Sequence, residues 1–340
     1  MDTITQIILG AAVGEAVLGK KVGNKAQLWG AIGGTIPDLD VIPAAMMNPV
    51  AQLEFHRGFT HSALFAVLFA PILGYLIYRI YKRREASWKD WSWLAFWSVF
   101  THPILDNFTS YGTAFLLPFS KVRIAWNTIF VIDPLYTIPL AVGILVALFL
   151  KRESRSRRWV NYTGIALSCA YLAFTVVNKQ YVNTIFEKAY QTQGLKIERY
   201  ITNPTPMNNL LWRFVGKSDV GFYEGYYSLL DNDKSIQFNY TAQNDSLIGI
   251  YRNHPQIAKL AWLTKGYYTF SRNDGDLYIN DMRFGKIDAW RKNSSAYVFR
   301  FKLIPEKTHT LAGLHIERSR PDINLDKGLI FNFLQRIRGN

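Results

Sequence analysis

Three short motifs in the first third of the chain hold the residue types that could do chemistry. Asp38 and Asp40 stand two apart in Thr35-Ile36-Pro37-Asp38-Leu39-Asp40, and His56 and His61 five apart in His56-Arg57-Gly58-Phe59-Thr60-His61-Ser62. His102 and Asp106 stand four apart in Thr101-His102-Pro103-Ile104-Leu105-Asp106-Asn107. All are oxygen or imidazole donors with no thiolate, a set that suits a divalent ion such as Zn²⁺, with Mn²⁺ the alternative. The six exceed the needs of one tetrahedral zinc, so one or two ions are expected. Two such ions activate water and clamp the oxygens of a phosphoester during an in-line displacement. Asp38, His56, His61, His102 and Asp106 are the expected ligands, and Asp40 is either a ligand or the base that takes a proton from a metal-bound water.

The spacing tells what each motif needs from its backbone. His102 and Asp106, at i and i+4, share one face of a helix, and Pro103 between them favours a bend. Histidines five apart do not share a helical face, so His56 and His61 can meet at one ion only if the chain turns at Gly58. Pro37, directly after Gly33-Gly34, breaks a helix and frees local backbone, so that Asp38 and Asp40 can converge on a cation; the alternative is a kinked helix with its acids in water. Glu15 and Asp133 are further acids at apolar depth. Asp133 is a ligand, an orienter of a histidine or a helix N-terminal residue favoured by the dipole, and Glu15 is additional to the ligands or structural.

These motifs lie among apolar stretches, where ionisable residues are costly and functional by default. Roughly 26–47, 59–81, 93–117, 129–150 and 159–177 read as membrane-crossing segments, with a shorter run at 4–19 that spans, re-enters or lies in the interface. The expected fold is therefore an α-helical polytopic membrane domain of five or six apolar segments over 1–177, followed by a soluble α+β domain rich in antiparallel strands over 178–340. Alternating runs at 222–227, 236–240, 277–280 and 297–302 predict strands, and 255–264 and 325–338 predict amphipathic helices. The 340 residues carry 39 Lys and Arg against 25 Asp and Glu, an excess of 14 that both halves share. Basic clusters at Lys20, Lys21 and Lys25, at Arg79, Lys82, Arg83, Arg84 and Lys89, and at Lys151, Arg152, Arg155, Arg157 and Arg158 mark the cytoplasmic side, which places 178–340 outside. A single cysteine, Cys169, excludes an intrachain disulfide and a cysteine-based zinc site.

Taken with Gly10-Ala11-Ala12-Val13-Gly14-Glu15 and Thr109-Ser110-Tyr111-Gly112-Thr113, the three motifs resemble the membrane-bound metal-dependent hydrolases, also described as LexA-binding, inner-membrane-associated hydrolases. The resemblance covers roughly 1–180, with a weaker echo at 204–212. It implies a bacterial inner-membrane location and a metal-dependent hydrolytic activity without an assigned substrate. Members tend to have a histidine where this chain has Gln6, whose carbonyl oxygen is a weaker ligand, so the resemblance leaves the metal count open. The expected function is a membrane-embedded hydrolase acting on a lipid or other phosphoester at the outer face of the inner membrane, with no nucleic-acid partner. The alternative is a non-enzymatic membrane protein, either an ion-coupled transporter built on broken helices with intramembrane acids or a partner-binding scaffold.

Overall fold

A computed structural model describes residues 1–81, 86–286, 289, 297–306, 313–319 and 327–339. Lys82, Arg83 and Arg84 of the second basic cluster and the first two residues of the 325–338 segment lie outside them. The chain forms two units. The first comprises Met1–Ala44, Phe55–Asn178 and Pro206–Asn209, and the second Ala45–Glu54, Lys179–Thr205 and Leu210–Asn340.

In the first unit, α1 (Thr3–Val22) starts at Asp2, whose carboxylate accepts from the Thr5 N–H at 3.0 Å, and stops at Gly23 with φ of 64°. That residue turns the chain into α2 (Asn24–Thr35), which packs back along α1. Small residues set the distance between them: a Cβ on Gly10 would lie 2.3 Å from the Gly30 carbonyl oxygen, and one on Gly34 2.5 Å from that of Gln6. A short 3-10 helix, Ile36–Asp40, and the brief α3 (Val41–Ala44) follow. Next come α5 (Ala63–Ile80), capped by the Ser62 hydroxyl, α6 (Trp88–Asn107), capped by a reciprocal Ser87–Asp90 box, and α7 (Pro134–Phe149). Leu18, Ala26, Leu73, Ile77, Trp91 and Leu94 form one core of this unit, and Leu9, Ala12, Leu105, Ile129, Tyr136 and Leu140 another. The four residues 206–209 belong here because the Asn178 amide donates to the Asn209 carbonyl at 2.7 Å and the Asn209 amide to that of Thr128 at 2.8 Å.

The expectation of five or six membrane segments is overturned: among the described residues only α5 and α8 (Arg155–Thr192) are long and apolar enough to cross a bilayer. The apolar stretches are real, but chain breaks and polar residues cut most of them short. Pro37 and its two acids end α2, so 26–47 is three short elements. The stretch 93–117 falls on α6, which carries Ser98, Thr101, His102 and Asp106 and stops at Asn107. At 129–150 the Asp133-Pro134 pair delays the helix, leaving 16 residues in α7, about 24 Å against a ~30 Å hydrocarbon layer. The run at 4–19 is a full helix, but glycine, alanine and Glu15 dilute its apolar character. By contrast, α5 turns Val67, Leu68, Ile72 and Leu76 outward, all more than half exposed.

The second unit is antiparallel, as its alternating residues predict. It also contains the short α4 (Pro49–Phe55) up to Glu54 and the C-terminal part of α8. Strands β1 (Arg199–Pro204), β2 (Leu211–Lys217), β3 (Gly221–Ser228) and β4 (Asn239–Ala242) form one sheet in sequence order. Strands β5 (Tyr268–Asn273), β6 (Asp276–Asp281), β7 (Arg300–Glu306) and β8 (Gly313–Ser319) form a second. Phe186, Trp212, Phe214, Tyr227 and Ile236 fill the core at the first sheet, and Leu260 of α9 (Pro255–Leu263) joins Phe270, Ile279, Phe301 and Ile316 at the second. The run 236–240 contributes only its last two residues to β4, because Ile236 is committed to that core instead. A last helix, α10, spans Lys327–Ile337.

Candidate metal centre

Four elements of the first unit deliver one side chain or a pair each to a common point. Pro37 starts the 3-10 turn that presents Asp38. A second 3-10 turn, Phe59–His61, carries His61 to the start of α5. One face of α6 supplies His102 and Asp106, and α1 brings up Gln6. Asp38, His61, His102 and Asp106 each offer one ligand atom, and these atoms all lie within 4.8 Å of one another. His61, His102 and Asp106 are fully buried, and Asp38 is 16% exposed at its side chain.

Five of the six separations are close to those of a tetrahedron, and the sixth, between Asp38 and Asp106, lies within 4.8 Å. His61 Nε2 lies 3.2 Å from His102 Nε2 and 3.3 Å from Asp38 Oδ1, and His102 Nε2 lies 3.5 Å from that oxygen. Asp106 Oδ2 is 3.6 Å from His61 Nε2 and 3.7 Å from His102 Nε2. Four ligands on ~2.05 Å bonds to one zinc would stand about 3.3 Å apart.

Hydrogen bonds around the cluster set both tautomers. His102 Nδ1 faces the Gly34 carbonyl at 2.6 Å and must donate to it. The Thr60 hydroxyl gives its one proton to Asp40 Oδ2 at 2.8 Å, so it accepts from His61 Nδ1 at 3.0 Å. With both Nδ1 atoms protonated and both rings neutral, the form a metal ligand takes, the two Nε2 lone pairs point at each other, flanked by two carboxylate oxygens. Acceptors that converge without a donor repel one another, and a cation resolves the conflict. Asp106 Oδ2 and Gln6 Oε1 are buried without a hydrogen-bond partner, a second sign of an open valence here. Gln6 Nε2 donates to Asp106 Oδ1 at 3.0 Å, and the Met1 amino group contacts the same oxygen. The donor set fits one divalent ion.

Asp40 and His56 sit beside this group rather than in it. Asp40 Oδ1 pairs with His56 Nδ1 at 2.7 Å, and Oδ2 accepts from the Arg57 N–H at 3.0 Å and from Thr60. Burial opposes its ionisation, but the hydrogen bonds from His56 and His61 outweigh it and hold its carboxyl well below the usual carboxylate range. Asp40 is thus an organiser of the 56–61 loop, and through Thr60 it fixes the His61 tautomer. Gly58 turns the chain between the two histidines, but His56 ends on Asp40.

Two of the sequence candidates lie elsewhere. Glu15 is 3% exposed and receives Arg157 Nε and Nη2, both at 2.6 Å, with Gln27 Nε2 at 3.0 Å. Asp133 caps α7, accepting from the Leu135 N–H at 3.0 Å and from the Tyr171 hydroxyl at 2.9 Å. Of the three roles open to Asp133, the structure displays the helix cap.

Arg57 is the residue the motifs concealed. It is a non-glycine residue at φ of 59°, 5% exposed, with Nε 3.1 Å from Asp106 Oδ2 and Nη1 donating to Thr109 Oγ1 at 3.2 Å. A basic residue next to a histidine reads as a surface charge, and only the left-handed backbone conformation turns it inward.

The comparisons agree with a membrane protein of unassigned activity. An uncharacterized protein of Bacillus subtilis (strain 168), YfhP, is 25% identical over 310 residues, which is 79% of this chain and 89% of that protein. No solved structure matches the chain. The profile of the YdjM inner membrane proteins matches residues 1–182, more than half of the sequence and all four residues of the centre. The chain belongs to the YdjM inner membrane protein family.

Proposed function

We propose that the protein is a metal-dependent hydrolase of the bacterial inner membrane that cleaves a phosphoester, carried by a membrane lipid or presented at the membrane surface. The convergence of two imidazole nitrogens and two carboxylate oxygens within 4.8 Å of one another carries this reading. Asp38, His61, His102 and Asp106 hold one divalent ion, zinc in preference to manganese because half the donors are imidazole. When bound, the ion supplies an activated water and polarises a phosphoryl oxygen. The Gly34 carbonyl holds the His102 ring in place, and Thr60 with Asp40 holds that of His61. Asp38, the one partly exposed ligand, marks the side from which substrate arrives.

Orientation follows from the basic ends of the two crossing helices. Arg79 lies in the last turn of α5, Lys151 and Arg152 just before α8, and Arg155 and Arg158 in its first turn. Placing both ends in the cytoplasm satisfies the positive-inside rule. His61, at the opposite end of α5, then faces the outer side, and the chain beyond α8 is extracytoplasmic.

Elemental analysis of the detergent-purified protein beside His102→Ala tests the reading. One equivalent of zinc or manganese, lost in the variant, followed by phosphoester hydrolysis that depends on it, is the expected result. No metal in either protein after incubation with divalent ions would overturn it.

A further inference from the structure

Next to the metal centre, two buried guanidinium groups converge on one aromatic ring. Arg57 Cζ lies 5.0 Å and Arg123 Cζ 5.6 Å from the centroid of the Tyr111 ring, and the His56 ring stands edge-on to it at 5.6 Å. Arg123 is 8% exposed and donates from Nη2 to the His56 carbonyl at 2.9 Å. Arg57 Nε is buried without a hydrogen-bond partner: its N–H misses Asp106 Oδ2, 3.1 Å away, and that oxygen is unpartnered too. The loop holds Arg57 in a backbone conformation that a bulky L-residue adopts at a cost. Its carbonyl, which accepts from the Ala114 N–H at 3.0 Å, helps to keep it there.

We propose that Arg57 and Arg123, which both contact the Tyr111 ring, form an anion-binding site that holds the phosphate of the substrate against the metal centre. The inference rests on the hydrolase reading and extends it to how substrate is recognised. Charge supports it. Asp38, Asp40 and Asp106 carry three negative charges, against four positive ones from a divalent ion and two guanidinium groups, so the loaded assembly attracts an anion. Chemistry supports it as well, because a planar guanidinium fork matches two phosphate oxygens where an ammonium offers only a point charge.

The test uses the full-length, zinc-loaded protein in detergent, with inorganic phosphate as the probe. Calorimetry follows phosphate binding, and elemental analysis follows zinc, in the wild type, Arg57→Lys and Arg123→Gln. The expected result is phosphate binding by the wild type and at least tenfold weaker binding by each variant at unchanged zinc. Arg57→Lys also alters the neighbour of a ligand, so if it loses zinc, Arg123→Gln decides alone. Phosphate binding in Arg123→Gln equal to wild type would overturn the proposal, as would zinc loss in that variant, which would make Arg123 a structural staple. A zinc-loaded wild type that ignores phosphate overturns the anion site and leaves the metal centre standing, whereas a wild type that holds no metal removes both. Short-chain phosphatidylglycerol measured in parallel separates the sources of the phosphate: tighter binding than inorganic phosphate identifies a lipid headgroup, and equal or weaker binding a water-soluble phosphoester.

Discussion

Among the buried acids of the first unit, Glu15 and the pair at the candidate metal centre are treated in opposite ways. At Glu15 both carboxylate oxygens meet Arg157 in a two-pronged pair, Gln27 adds a third donor, and Arg157 Nη1 donates to the Leu150 carbonyl at 3.0 Å. At the metal centre two carboxylates face two imidazole lone pairs, and one oxygen of Asp106 has no hydrogen-bond partner. The two have similar burial and similar residue types. They differ in whether the donors complete the carboxylate, and this separates an acid that holds helices together from one left with an open acceptor, where the proposed cation would sit.

That contrast can be broken by experiment. Asp38→Asn removes one of four ligands, and the largest effect is expected there: stoichiometric zinc is lost on elemental analysis, while the melting temperature in chelator stays close to that of the wild type. Acidification of the wild type releases the ion as well, because protons compete for the same Nε2 lone pairs, so zinc retention on dialysis falls as pH falls. Glu15→Ala has the opposite signature. It strands a buried guanidinium and costs about 3–5 kcal/mol, read as a fall in thermal stability in detergent, while the folded fraction keeps its zinc. If Glu15→Ala lost zinc at unchanged stability, the division between the two acids would fail.

Smaller effects sharpen the picture. Gly10→Ala forces a methyl group against the Gly30 carbonyl oxygen and costs about 1–3 kcal/mol, with weaker zinc binding because α2 carries the Gly34 carbonyl that orients His102. Asp133→Ala removes the α7 cap and costs about 1 kcal/mol with zinc unchanged; a loss of zinc there would return Asp133 to the site.

Residue type and spacing single out all four residues that the fold brings together. The i, i+4 relation of His102 and Asp106 needs only a helix, and Asp38 and His61 lie in motifs whose proline and glycine announce the turns that aim them. His56 was grouped with them because spacing alone cannot show that Asp40 captures it first. Arg57 and Arg123 escaped notice because their roles depend on a positive φ and on a contact with the His56 backbone, neither of which leaves a periodic trace. The antiparallel character of the second unit was legible from alternation at β3 and β6, whereas β1, β2, β5 and β8 were not singled out. Counting apolar residues overcounted the crossing helices, since a window average does not register Pro37, the Asp133-Pro134 pair or the many small residues of α1.

Those small residues have one more consequence. The spacing of α1 and α2 is held where their backbones nearly touch, and both helices serve the centre, α2 through the Gly34 carbonyl behind His102 and α1 through the Gln6 amide on Asp106. Any force that pries the pair apart withdraws both supports together. His102 and Asp106 are thereby geared to one helix pair, so that a single displacement of α1 against α2 disturbs an imidazole and a carboxylate of the cluster at once.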